Sequence, residues 1–261
     1  MIAIDLSYTA AGALTGLIVG LTGVGGGALM TPILLLVFGV NPVTAVATDL
    51  WFAAITKTFG ARIHCRSGNV DWQIVRRLWW GSIPAAILLV IAITIGVSVT
   101  KSAWLTKVVG VVVLVTAIGM LLAPLVLNKG RSLRLGDPER FKSAQKKLTI
   151  LAGAVLGVFV SMTSIGAGAL GSVMLLYLYP LRMTPHRLVA TDIVHAIPLA
   201  MVAGTAYLIA GLVDLTMLAS LLAGSIPAIL IGSHLSARLP QNFLRVGLAL
   251  VLTLCGVKAL I

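Results

Sequence analysis

A chain of 261 residues that is 59% hydrophobic and 10% charged, with a mean hydropathy of +1.09, lies far from the roughly half-apolar, quarter-charged balance of soluble domains. That excludes a soluble enzyme, and it excludes a nucleic-acid partner for the net charge of +12, because no soluble segment carries a basic surface and membrane topology accounts for the charge. What is left is an integral membrane protein built of helices, since the ten-residue alternating strands of a transmembrane barrel are missing from the sequence.

The first residues, "MIAIDLSYTA", have neither a basic n-region nor an A-x-A cleavage site, so no removable signal peptide is read and the N-terminal helix stays. That helix is expected over 6–22 and stops at "LTGVGGGALM" (21–30), where Gly23, Gly25, Gly26 and Gly27 crowd together. Each glycine in a helix interior costs about 1 kcal/mol relative to alanine, so the run breaks the helix. A shorter segment is expected over 27–39, and longer ones over 42–60, 76–97 and 104–127. The apolar runs at 78–99 and 108–127 suit a hydrocarbon core about 30 Å thick. Asn41 reads as an N-cap with Pro42 at the first helical position, which puts Asp49 about two turns into an apolar helix. Asp71 is expected to cap the following helix and Pro84 to kink it, with the adjacent serine relieving freed backbone groups.

The connector "NKGRSLRLGDPERFKSAQKK" (128–147) holds seven of the nineteen Lys and Arg residues, and beyond it the first half recurs. "AGALTGLIVGLTGVGGGAL" (11–29) returns as "AGAVLGVFVSMTSIGAGAL" (152–170) at an offset of 141; "VATDL" (46–50), "GNVDW" (68–72) and "GSIPA" (81–85) return as "VATDI" (189–193), "GLVDL" (211–215) and "GSIPA" (224–228) at an offset of 143. The chain therefore reads as two homologous transmembrane repeats, 1–127 and 148–261, joined by a basic cytoplasmic connector, 128–147. The fold class is an all-α polytopic membrane bundle of about eight to ten helical segments, each repeat carrying a glycine-broken helix pair.

Positive charge decides how the repeats lie. If each broken pair is one span, the halves are parallel, with twelve basic residues inside and six outside; if it is a hairpin or two full spans, the halves are inverted. Fifteen basic residues then lie inside, against Lys101, Lys107 and Lys258 outside, with Lys57 left out of both counts. Inverted repeats with both termini outside are expected.

Inversion gives the breaks a use. Backbone N–H groups at the start of the second helix of each pair are unpaired near mid-membrane, where they must face protein, water or ligand, and helix N-termini attract anions. The expected substrate-binding residues are Thr22, Gly23, Gly25, Gly26 and Gly27 in the first break, with Ser161, Thr163, Ser164, Gly166 and Gly168 in the second. The plainer use of such glycines is close helix packing. Thr48, Asp49, Thr191 and Asp192, from the repeated "VATD", are gating or proton-coupling residues by depth, or else hold N–H groups of a neighbouring break. His195, whose counterpart is Phe52, is either a satisfied core histidine or a titrating group beside the anion. Lys57, whose counterpart is alanine, is expected to snorkel toward the cytoplasmic end of its helix, with ligand contact as the other option. The scattered His64, His186 and His234, with Cys65 and Cys255, give no metal pattern or disulfide framework. The absence of G-x-x-x-x-G-K-[ST] argues against ATP hydrolysis, and no cofactor is expected.

Taken together, "GLTGVGGGALMTPILLLVFGVNPVTAVATDL", "GNVDW" and "GSIPA", with their degenerate second copies, resemble the TauE/SafE family of sulfite and organosulfonate exporters, over nearly the whole chain. The resemblance implies a multi-pass secondary transporter of the bacterial cytoplasmic (inner) membrane that exports a small sulfur-containing anion by alternating access. Its expected partners are that anion and membrane lipid, and a homodimer is compatible with the fold. Proton-coupled uptake and a non-transporting membrane maturation factor are the alternatives.

Overall fold

The computed structural model describes residues 4–22, 27–64, 69–96, 103–136, 138–166, 168–235 and 241–260. Among them run ten helices: α1 (Leu6–Thr22), α2 (Gly27–Leu36), α3 (Pro42–His64), α4 (Trp72–Gly96), α5 (Ala103–Gly136), α6 (Pro138–Thr163), α7 (Ala169–Leu178), α8 (Pro185–Ile209), α9 (Leu215–Leu235) and α10 (Gln241–Leu260). Side chains cap helix starts, those of Asn41 and Asp71 as expected. The Asn41 and Asp214 side chains accept the N–H of Val43 (3.0 Å) and Met217 (2.9 Å), Thr184 accepts that of Arg187 (3.3 Å), and Asp71 accepts that of Ile74 (3.4 Å). The Asp71 cap starts α4 at Trp72, four residues before the segment expected over 76–97. α5 and α6 extend into the connector from both sides. Its Lys, Arg, Leu, Glu, Gln and Ala are good helix formers, and Pro138 sits at a first helical position, so its polarity marked solvent rather than a loop.

Length limits α2 and α7. Ten residues rise about 15 Å, half of a hydrocarbon core. Both fold back on the helix before them. The Tyr8 ring, near the start of α1, lies 4.6 Å from that of Phe38, just past the end of α2. In the other half, Gln145 Nε2 donates to the Leu178 carbonyl at 2.8 Å, and the hydroxyls of Thr149 and Tyr179 meet at 2.8 Å. Each glycine-broken pair is thus a hairpin returning to the end where it began.

The halves interleave rather than sit side by side. α1 packs on α9 and α6 on α4; α3 packs on α9 and α8 on α4; α2 meets α10 and α7 meets α5. α3 with α8, and α5 with α10, pair across the middle. Glycines bring backbones together at the first two interfaces. A Cβ on Gly12 or Gly16 would strike the main chain of Leu221 or Ser225, and a Cβ on Gly153 or Gly157, at the equivalent positions, that of Leu78 or Ser82. Gly224 and Gly81 reciprocate against Thr9 and Ile150. Small residues serve here as they commonly do between helices in lipid, where dispersion and close approach replace the hydrophobic effect.

The two ends of the bundle differ chemically. At one, the Asp5 N–H donates to Ser220 Oγ and the Asp214 N–H to Thr48 Oγ1, both at 3.1 Å. At the other, Arg182 Nε lies 2.6 Å from Asp71, Arg187 lies 3.9 Å from it, and Arg77 donates to the Tyr179 hydroxyl at 3.2 Å. Between the ends the outer surface is apolar. Trp80, Leu88, Val115 and Leu254 are exposed, as lipid-facing side chains must be, and among the described residues four helices are long and apolar enough to span a bilayer. The protein is a multi-pass helical membrane protein.

Candidate functional site

The site is built where α3 and α8 cross. Their "VATD" threonines serve the same purpose in both halves: Thr48 Oγ1 accepts the N–H of Asp214, and Thr191 Oγ1 accepts that of Asp71, each at 3.1 Å. Each threonine therefore ties the loop before a fourth helix of the opposite half to the bundle. The neighbouring aspartates part company. Asp49 Oδ2 accepts both the backbone N–H (3.1 Å) and the hydroxyl of Thr31, which fastens α3 to α2. Asp192 has no such anchor. Its Oδ2 lies 3.9 Å from Lys57 Nζ, its Oδ1 is buried without a hydrogen bond, and a Cβ on Gly171 would strike that oxygen.

Lys57 does not snorkel. Its side chain is 4% exposed and reaches inward to Asp192, and it interacts electrostatically with Asp49 and His195 as well. A carboxylate on the facing helix gives the buried ammonium a counter-charge, which position along α3 could not foretell. Because the counterpart of Lys57 is Ala200, the cation belongs to one half only. His195 is similarly one-sided: Nε2 lies 3.0 Å from Ser82 Oγ, its carbonyl accepts from Trp79 Nε1 at 3.2 Å, and Nδ1 is buried without a partner. The other half puts Phe52 there, and Ser225, the counterpart of Ser82, keeps a buried hydroxyl with no partner. The serines of "GSIPA" therefore do not relieve carbonyls freed by the prolines.

The second break adds donors. Thr163 is occupied with closing α6, its hydroxyl donating to the Phe159 carbonyl (2.7 Å) while accepting the Ile165 N–H (3.2 Å). The Ser161 carbonyl takes the Tyr207 hydroxyl at 3.0 Å. Ser164 adopts φ +56°, and Gly166 φ +115°, with the Gly166 carbonyl receiving the N–H groups of Gly168 (2.9 Å) and Gly171 (3.0 Å). The hydroxyls of Ser161 and Ser164 are buried without partners, and that of Ser164 lies beside the Asp49 carboxyl, short of hydrogen-bond geometry. In the first break, Thr22 closes α1 and Gly27 opens α2, while Gly23, Gly25 and Gly26 lie outside the described residues.

Three residues that sequence reasoning passed over, and Ser82, which it assigned to the Pro84 kink, belong to this site. Thr31 carried a signal, being the polar residue of "GALMTPILLL"; Ser82, Gly171 and Tyr207 take their meaning only from partners far along the chain. The result is a connected set of buried polar groups (Ser164, Asp49, Lys57, Asp192, His195 and Ser82) at the centre of a bundle whose outside is apolar. Ionisable groups at such depth are costly and make this cluster the candidate functional site.

A helical membrane bundle with a buried ionisable centre belongs to the class of membrane transporters. The chain belongs to the family described as Sulfite exporter TauE/SafE, whose model matches residues 8–259. It is similar to two proteins of Bacillus subtilis (strain 168). One, named probable membrane transporter protein YjnA, is 38% identical over 265 residues, covering 97% of this chain and 99% of the relative. The other, named probable membrane transporter protein YdhB, is 25% identical over 250 residues, covering 95% and 96%. No solved structure matches the chain. The protein is a membrane transporter and not an enzyme.

Proposed function

We propose that this transporter moves a small sulfur-containing anion, sulfite or a short organosulfonate, across the bacterial cytoplasmic membrane by alternating access of two inverted halves. The family description supports the substrate class. The observation that carries the reading is the pair of buried hydroxyls at a helix break, Ser161 without a hydrogen bond and Ser164 beside the Asp49 carboxyl. Hydroxyl and N–H donors converging from several directions suit a pyramidal or tetrahedral oxyanion. The two hairpins support inversion, because a pair that returns to its starting end leaves each half with an odd number of crossings.

If the anion carries its charge alone, the membrane potential favours export by about 2.3 kcal/mol per 100 mV per charge. A second reading, proton-coupled uptake, is favoured by the buried carboxylates of Asp49 and Asp192 near Lys57. Purified protein in proteoliposomes should pass sulfite or a short sulfonate, and a bulky residue at Gly25 or Gly166 should stop that flux while the protein still elutes as a folded species. Absence of flux for every sulfur anion in a panel overturns the proposal.

A further inference from the structure

The duplicated chain supplies two equivalent aspartates, and the structure puts them to different uses. Asp49 is committed to the N–H and hydroxyl of Thr31. Asp192 is held by a buried lysine at 3.9 Å and has a free Oδ1 against Gly171, where the other half has the buried Met30. The charged group facing Asp192 among the described residues is Lys57 from α3; Asp49, on the same helix as Lys57, and His195, on α8, interact with Lys57; α7 presents Gly171. An ammonium at this depth is strongly disfavoured without one negative charge beside it. Asp192 supplies that charge in this conformation, through a contact too long for a hydrogen bond.

We propose that Lys57 is the cation that recognises the transported anion, and that Asp192 is its resident counter-ion, released by taking a proton when an anion arrives. The proposal rests on the anion-transport reading and decides how that transport is coupled. In one state Lys57 faces the Asp192 carboxylate. In the other, Lys57 faces the anion, and Asp192 holds a proton drawn from water. No covalent bond to carbon or sulfur changes, and the two states carry the same net charge. Each monovalent anion thus crosses with one proton, so the cycle is electroneutral: a pH gradient drives it and the membrane potential does not. Lys57 also sets charge selectivity, because the site replaces one carboxylate by one anion.

The test uses the full chain in proteoliposomes with methanesulfonate, whose single charge is fixed across the working pH range, so that any pH effect belongs to the protein. An imposed pH gradient should drive its accumulation on the alkaline side, and a potassium diffusion potential set with valinomycin should leave that unchanged. Lys57→Gln should weaken methanesulfonate binding about tenfold or more, the loss of one charge-assisted contact, and Lys57→Arg should recover part of it. Asp192→Asn should keep downhill flux but lose the response to the pH gradient. Flux in the wild type that follows the potential and ignores the pH gradient overturns this proposal and leaves anion transport standing, as does unchanged binding by Lys57→Gln. No flux of any sulfur anion overturns both. If Asp192→Asn does not assemble, the comparison of gradient and potential in the wild type decides alone.

Discussion

Ser164 holds a left-handed backbone, φ +56°, at the position where the first repeat has Gly23. That conformation costs a side-chain-bearing residue about 1–2 kcal/mol, partly offset in a glycine replacement by the entropy of the unfolded chain. Ser164→Gly should therefore stabilise the protein by about 0.5–1 kcal/mol, read as a raised unfolding temperature in detergent. If the hydroxyl helps hold the anion, the same variant should transport more slowly, so stability and flux should move in opposite directions. Thr31 shows the reverse case. Thr31→Val removes the hydroxyl that Asp49 accepts and should cost about 1–3 kcal/mol, the penalty of an underbonded buried acceptor. Thr31→Ser should keep most of that stability in the same denaturation assay.

Whole helices are positioned by what glycine omits. Gly81 on α4 and Gly153 on α6 place backbone against backbone, so Gly81→Leu or Gly153→Leu should abolish the monodisperse folded protein on size exclusion. Gly247, inside α10, has nothing within 4 Å of an added Cβ, and Gly247→Ala should elute like the wild type and melt no lower, alanine favouring the helix by up to about 1 kcal/mol. The loop between α7 and α8 is held by another device. Arg182 binds Asp71 at 2.6 Å and Gln73 at 2.9 Å. An ionic clasp thus closes the basic end of the bundle, and the Tyr8–Phe38 ring pair closes the other. Because Arg182 is 42% exposed, Arg182→Ala should cost only about 1 kcal/mol. Arg182→Asp should lower the melting temperature further, and exchanging the two charges in Asp71→Arg/Arg182→Asp should return part of the loss.

At the scale of the molecule, the hairpin form of each broken pair determines which loops share a side of the membrane. Leu181, 69% exposed, stands at the end that carries Arg77, Arg182 and Arg187, which the positive-inside rule assigns to the cytoplasm. In a protein whose Cys65 and Cys255 have been replaced, Leu181→Cys should react with an impermeant maleimide only from the cytoplasmic side. Labelling from outside would rule out the inverted arrangement. Much of the fold was legible in the chain itself. Apolar run lengths gave the spans, glycine clusters the breaks, and the offsets of 141 and 143 the repetition, because each is written in local composition or in similarity between stretches. The separate uses of Asp49 and Asp192 were not legible, since identical "VATD" motifs acquire different partners only when Thr31 and Lys57 are brought alongside. Sequence alone determined a helical membrane protein, its duplicated design and its family. Tertiary structure decided that Lys57 turns inward and that one aspartate binds a lysine while its twin anchors a helix, because buried charge is governed by what packs across from it and not by its place along its own helix.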